Sequence, residues 1–200
     1  MIDGTRIQID PPKLSPDDYI DRKKNTTLAL QGICNENHIF TDIFVGFPKS
    51  VHDNRMFVNS EFYERLPNIC GAEDYFIIGA SAYQCSNIVI TPYKDNGHLT
   101  KKQKLFNRKL SSGRVKIEHA FGLLKQRFRQ LYYCKLRGLE KLFHFIRACV
   151  VLHNMCDYDY ISEEFDENDE NLQSEINSEM HYGRDHEAGT ARRDFLCSLL

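Results

Sequence analysis

Apolar residues recur at Phe106, Leu110, Ile117, Phe121, Leu124, Phe128 and Leu131, the three-and-four spacing of one helix face, so residues 99–131 read as a long helix with Ser111-Ser112-Gly113 as its expected break. A second stripe, Leu139, Leu142, Phe143, Ile146, Cys149, Val150 and His153, marks a final core helix. Upstream the pattern is that of strands. Residues 1–9 end in the alternating Ile7-Gln8-Ile9 and read as a strand or tight β-ribbon. Residues 26–34 and 39–46 are strand-like runs joined by Asn35-Glu36-Asn37-His38, a hairpin by spacing and turn composition. Residues 74–83 form a continuous apolar strand running into small residues, the kind of buried strand whose end opens a site, and 88–90 give one more short strand before Pro92. Between them, Ser50 or Asp53 can cap a helix whose apolar face, Met56, Phe57, Phe62, Tyr63 and Leu66, stops at Pro67. Strands first and helices after, around a buried central strand, predict an α+β or α/β domain with a mixed sheet.

Composition adds size and compartment. Two hundred residues, 42% hydrophobic, suffice for one domain with a sizeable core. The apolar periodicity ends near Cys156, which places a domain at 1–156 and an acidic, disordered tail at 157–200, with Phe195, Leu196, Leu199 and Leu200 as residues able to dock. No apolar run approaches the roughly 18 residues of a membrane span, and no signal peptide opens the chain, so the reading is intracellular with no membrane partner. Seven cysteines without a CxxC pair fit a reducing compartment. Cys149, His153 and Cys156 share a helix face, but no fourth ligand is evident and they read as core packing.

Charge changes the picture more. The net charge of -2 conceals segregation: residues 99–147 hold 14 Lys and Arg against two acids, Glu118 and Glu140, while 157–180 hold ten acids and no Lys or Arg. This suggests a polyanion-binding body. Lys101, Lys102, Arg108, Lys109, Arg114, Lys125 and Arg129 are the candidate contacts to a DNA backbone, which would make binding nonspecific and salt-sensitive; the alternative is a merely soluble helix surface. The acidic segment would then act as an intramolecular nucleic-acid mimic. Glu118, alone among cations, is either a surface residue in local pairs with Arg114 and Lys125 or a metal ligand.

An ordered set of motifs resembles one family: IDGT at 2–5, DRKK at 21–24, FTDIFVGFPKSVHDNRMF at 40–57, GASAY at 79–83, ITPYKD at 90–95, LTKKQKLFNRKLSSGRVKIEHAFGLLKQRF at 99–128 and VVLHNMC at 150–156. Together they are similar to the PIF/Harbinger transposases and transposase-derived nucleases. The resemblance implies an RNase H-like DDE nuclease fold, truncated at its N-terminus, which cleaves DNA phosphodiesters with a divalent cation, Mg²⁺ or Mn²⁺. Such hard cations take oxygen ligands, and a pair of them stabilises attacking and leaving oxygens. It assigns Asp3 and Glu118 as catalytic and metal-ligating carboxylates, and Asp53 either as a third ligand or merely as a cap. It also implies a nuclear location, with the cytoplasm as a second, and a separate Myb-like DNA-binding partner.

This sequence departs from the family pattern where the second catalytic Asp stands in GDSAY: the position holds Ala80, and a methyl group has no lone pair. Asp21 and Lys24 replace an Asn and a Gly, and Gly113 sits where Ala would serve a helix better by about 1 kcal/mol. A start at Met1 implies a half-length central strand. Two functions therefore follow from the resemblance: a transposase-derived nuclease with impaired cleavage, or a non-catalytic DNA- or protein-binding remnant.

Overall fold

A computed structural model describes residues 1–48, 52–70, 75–156 and 185–200. Strands β1 (Ile2–Ile9), β2 (Thr27–Cys34) and β3 (Phe40–Pro48) form an antiparallel meander, and β6 (Tyr133–Cys134) joins the far edge of β1 in parallel, giving the order β3-β2-β1-β6. The sheet is mixed, as the order of elements predicts. β1 pairs with β2 from Ile2↔Ile33 to Gln8↔Thr27, so it is as long as its neighbour and is not the half-length strand expected.

Helices cover both faces of the sheet. Leu28, Leu30 and Cys34 of β2 turn toward α3 (Lys101–Arg127) and α4 (Leu139–Met155), packing with Ile117, Phe121, Leu124 and Ile146. Ile33, of opposite parity, joins Phe57, Phe62 and Leu66 from α1 (Asp53–Val58) and α2 (Glu61–Cys70). Every residue of β2 is consequently buried, which is why its sequence is mostly apolar and does not alternate. Among the described residues no helix is long and apolar enough to cross a membrane.

Three local expectations are corrected. α3 does not break at Ser111-Ser112-Gly113. Thr100 and Gln103 cap its start reciprocally, Thr100 Oγ1 accepting from the Gln103 amide at 3.2 Å and Gln103 Oε1 accepting from the Thr100 amide at 2.9 Å. Buried Leu110 and Ile117 then hold the helix on both sides of the glycine. Gly113 has a packing reason, since a Cβ there would lie 2.9 Å from Cδ1 of Ile78. The helix expected over 53–66 is two helices, because Ser60 Oγ accepts the Tyr63 amide at 3.2 Å and restarts the chain; α2 then continues through Pro67. Of the strand expected over 74–83, only β4 (Ile77–Ile78) remains, paired in parallel with β5 (Val89–Ile90). The Tyr83 amide turns back onto the Ala80 carbonyl at 3.0 Å, so the chain leaves the sheet at Ala80. Ser50 and Asp74 lie outside the described residues.

The last residues are also corrected. Residues 187–198, placed by sequence in a disordered tail, form α5 (Glu187–Ser198) against β5 and α3. Of the four residues nominated to dock, Leu196 does so, together with Cys197 and Arg193, while Phe195, Leu199 and Leu200 remain exposed. Arg193 is buried, 3.2 Å from Asp185 and 4.4 Å above the Tyr93 ring. The acids at 157–180 lie outside the described residues. A Cβ on Gly189 would fall 2.5 Å from the Ser86 backbone, which cannot yield as a side-chain tip does. Gly189→Ala is therefore expected to lift α5: its amides lose hydrogen-exchange protection by about tenfold or more, while those of β2 are unchanged. Equal protection in the variant would show that the contact is not limiting.

Candidate functional site

Side-chain alternation along β1 places Asp3, Thr5, Ile7 and Ile9 on the face covered by α3. On α3, Arg114, Glu118, Phe121 and Lys125 follow one another at helical spacing above that row. Asp3 and Glu118, nominated from separate motifs, thus meet. Their meeting point is Arg114, whose Nη2 donates to Glu118 Oε1 at 2.8 Å and stands 4.0 Å from Asp3 Oδ2. The Asp3 Oδ1 atom accepts the Gly4 amide at 2.8 Å. Side-chain exposure is 19% for Asp3, 12% for Arg114 and 27% for Glu118, so Glu118 makes the local pair with Arg114 read from the sequence, half-buried and not on the open surface.

Burial raises the Asp3 carboxyl pKa to about 7; Arg114 and the Gly4 amide oppose the rise, while the charges of Asp53 and Glu118 add to it. Asp53 is therefore near enough to act on Asp3. It is the first residue of α1, not its cap; His52 holds the cap position. The Asp53 carbonyl accepts from Gln31 Nε2 at 3.1 Å, and the same Gln31 group donates to the Tyr83 hydroxyl at 2.9 Å. Burial, then the charges of Asp53 and Asp3, raise the Tyr83 pKa well above its ordinary value. Gln31 and Tyr83 escaped sequence reasoning, although GASAY contains the tyrosine; no local signal marks Gln31 within an apolar strand.

Ala80 follows directly on the parallel bridge Ile2↔Gly79, so it stands beside Asp3 at the end of β4. It is 5% exposed and packs with Ile2, Tyr83 and Val89. The resemblance expects an acid at this position, and a methyl group stands there. Among the described residues, no three His, Cys, Asp or Glu side chains are grouped to hold a metal ion. The donors present fit a monovalent organic cation, supplied by Arg114, and do not fit a resident divalent one.

The other nominated cations divide. Lys101, Lys102, Arg108, Lys109 and Arg129 are exposed, and Lys102 also donates to the Ser198 carbonyl at 3.2 Å, at the end of α5. Lys125 is turned inward, its Nζ 2.7 Å from Thr5 Oγ1, and Arg114 is committed to the acids. Both, nominated as backbone contacts, are half-buried and engaged within the fold by the same helical spacing that aligns them with β1. His153 is buried: Arg127 Nη1 lies 3.3 Å from its Nδ1 and donates to its carbonyl at 3.0 Å, while its Nε2 is 3.4 Å from the His38 carbonyl. Cys149 is buried and Cys156 exposed.

The comparisons with known proteins agree with this architecture. The chain is 27% identical over 169 residues to the protein named ALP1-like of Arabidopsis thaliana, covering 77% of this chain and 41% of the relative. It is 27% identical over 180 residues to Antagonist of like heterochromatin protein 1 of the same organism, covering 82% and 45%. The chain thus spans less than half the length of these curated relatives. No solved structure matches. A family profile described as DDE superfamily endonuclease matches residues 2–154, the span that includes Asp3, Ala80 and Glu118, and the chain belongs to that family.

Proposed function

We propose that this is a transposase-derived, nuclease-like protein that grips DNA through phosphates and whose phosphodiester cleavage is impaired. The carrying observation is Ala80: the position beside Asp3 at the end of β4 offers a buried methyl where the cleavage chemistry of the family needs an oxygen ligand. Removing one member of a catalytic constellation costs far more than its share, because the remaining groups act as a unit. Exposed Lys101, Arg108 and Lys109 on α3, with Arg129 just beyond it, support binding to a polyanion. One relative is named as an antagonist of a heterochromatin protein, which favours a nuclear setting. Sequence recognition is left to a partner, for which a Myb-like DNA-binding protein is the proposal.

The test is nicking of supercoiled duplex DNA with Mg²⁺ or Mn²⁺. The chain as it stands is expected to nick no faster than its Glu118→Ala variant. Ala80→Asp either gains metal-dependent nicking that Glu118→Ala removes, identifying a decayed site, or stays inactive, as a non-cleaving remnant does. Glu118-dependent nicking by the unaltered chain overturns the proposal. Binding is read separately. With Lys101, Arg108, Lys109 and Arg129 on phosphates, log K falls against log salt with a slope of about −3 to −4, and Arg108→Glu with Lys109→Glu weakens binding to all sequences alike. A slope near zero removes the DNA reading.

A further inference from the structure

We propose that Arg114 is the resident cation of this site: its guanidinium closes the carboxylates of Asp3 and Glu118 against divalent metal and turns a metal-binding constellation into an internal ion pair. This deepens the impaired-cleavage reading, but it concerns cation binding alone and is tested without DNA.

The argument is one of space and charge. A divalent cation needs several oxygen ligands converging at about 2.0–2.6 Å. Between Asp3 and Glu118 the space is taken by Arg114 Nη2, 2.8 Å from Glu118 Oε1 and 4.0 Å from Asp3 Oδ2. Arg114 is the most buried of the three side chains, with 12% exposed, and it shares a helix with Glu118 at i,i+4. Its guanidinium therefore has little freedom to swing aside. On the Asp3 side, Oδ1 is occupied by the Gly4 amide at 2.8 Å, which leaves Oδ2 facing the arginine. An incoming metal would have to expel a guanidinium that cannot be deprotonated, and would leave that charge without its partners. One strand and one helix bring the two acids together, and Ala80 adds no carboxylate to outbid the arginine.

The experiment is Mn²⁺ titration of the full chain at pH 7.5, reading free Mn²⁺ by electron paramagnetic resonance. The ten acids of 157–180 are common to every variant, so the quantity of interest is the fraction lost on Glu118→Gln. The unaltered chain is expected to show no Glu118-dependent binding below ~1 mM, while Arg114→Gln binds about tenfold tighter or better, a gain that Arg114→Gln/Glu118→Gln abolishes. Glu118-dependent binding in the micromolar range by the unaltered chain, or no gain in Arg114→Gln, overturns the inference. Should Arg114→Gln fail to fold, thermal melting decides: 5 mM Mn²⁺ is expected to shift the unaltered chain no more than it shifts Glu118→Gln, and a larger Glu118-dependent rise overturns the inference. An unaltered chain that nicks DNA yet shows no such binding refutes the proposed function and leaves this inference standing.

Discussion

Arg114→Ala is expected to lower stability by about 3–5 kcal/mol at pH 8, and by roughly half as much at pH 5, as read from urea unfolding. At pH 8 the substitution leaves the Asp3 carboxylate buried without its counter-charge, and breaking one partner out of such a pair costs more than the pair contributes. The pH dependence follows from Asp3. Its folded pKa of about 7 lies above the ordinary 3.8, chiefly through burial, so the folded chain binds a proton that the unfolded chain releases. Stability from this group is complete below pH 4 and is lost as pH rises toward 7. Without Arg114 the carboxyl is pushed higher still, and at pH 5 it is protonated and needs no cation. Adding Asp3→Asn should remove most of the pH dependence. An equal loss at both pH values would mean that Arg114 matters through packing of its stem, not through charge.

That ion pair also shows how far the sequence could be read. Asp3 and Glu118 were legible because each lies in a motif whose neighbours fix the local frame, and alternation on β1 then determines the face. Arg114 was legible as a helical neighbour of Glu118, but its reach to Asp3 depends on how α3 lies across the sheet, a long-range fact without local signature. The same holds for Lys125, which looks like a surface cation until Thr5 is placed beneath it. Gly113 reads as a break because glycine disfavours helix everywhere; only the Ile78 side chain below it explains why nothing larger fits. β4 was overestimated since apolar runs do not reveal where a turn such as Ala80–Tyr83 takes the chain out of the sheet. The docking of α5 was legible only in Leu196; its anchor was missed because it is a buried arginine with an acid and an aromatic ring as partners, a combination composition assigns to solvent.

His153 supplies the opposing pH effect. Arg127 can only donate, so Nδ1 of His153 accepts; the His38 carbonyl can only accept, so Nε2 carries the proton. Arg127 therefore selects the neutral ring, and burial, with Arg127 adding to it, lowers the pKa to about 4, although the His38 carbonyl favours the charged ring. The unfolded ring titrates near 6.5, so stability held above that pH is lost as pH falls toward 4, by up to about 3 kcal/mol. His38 is lowered as well, through burial and then Lys116 and His119, and steepens the same limb. Asp3 gains stability over this very interval. The unaltered chain should accordingly show a shallow profile between pH 4 and 6.5, the sum of two opposed slopes. Asp3→Asn is expected to expose a steep loss on acidification, and His153→Gln, whose amide can keep both hydrogen bonds, a gain. Profiles that remain parallel in all three proteins would show that neither buried group titrates as its surroundings require.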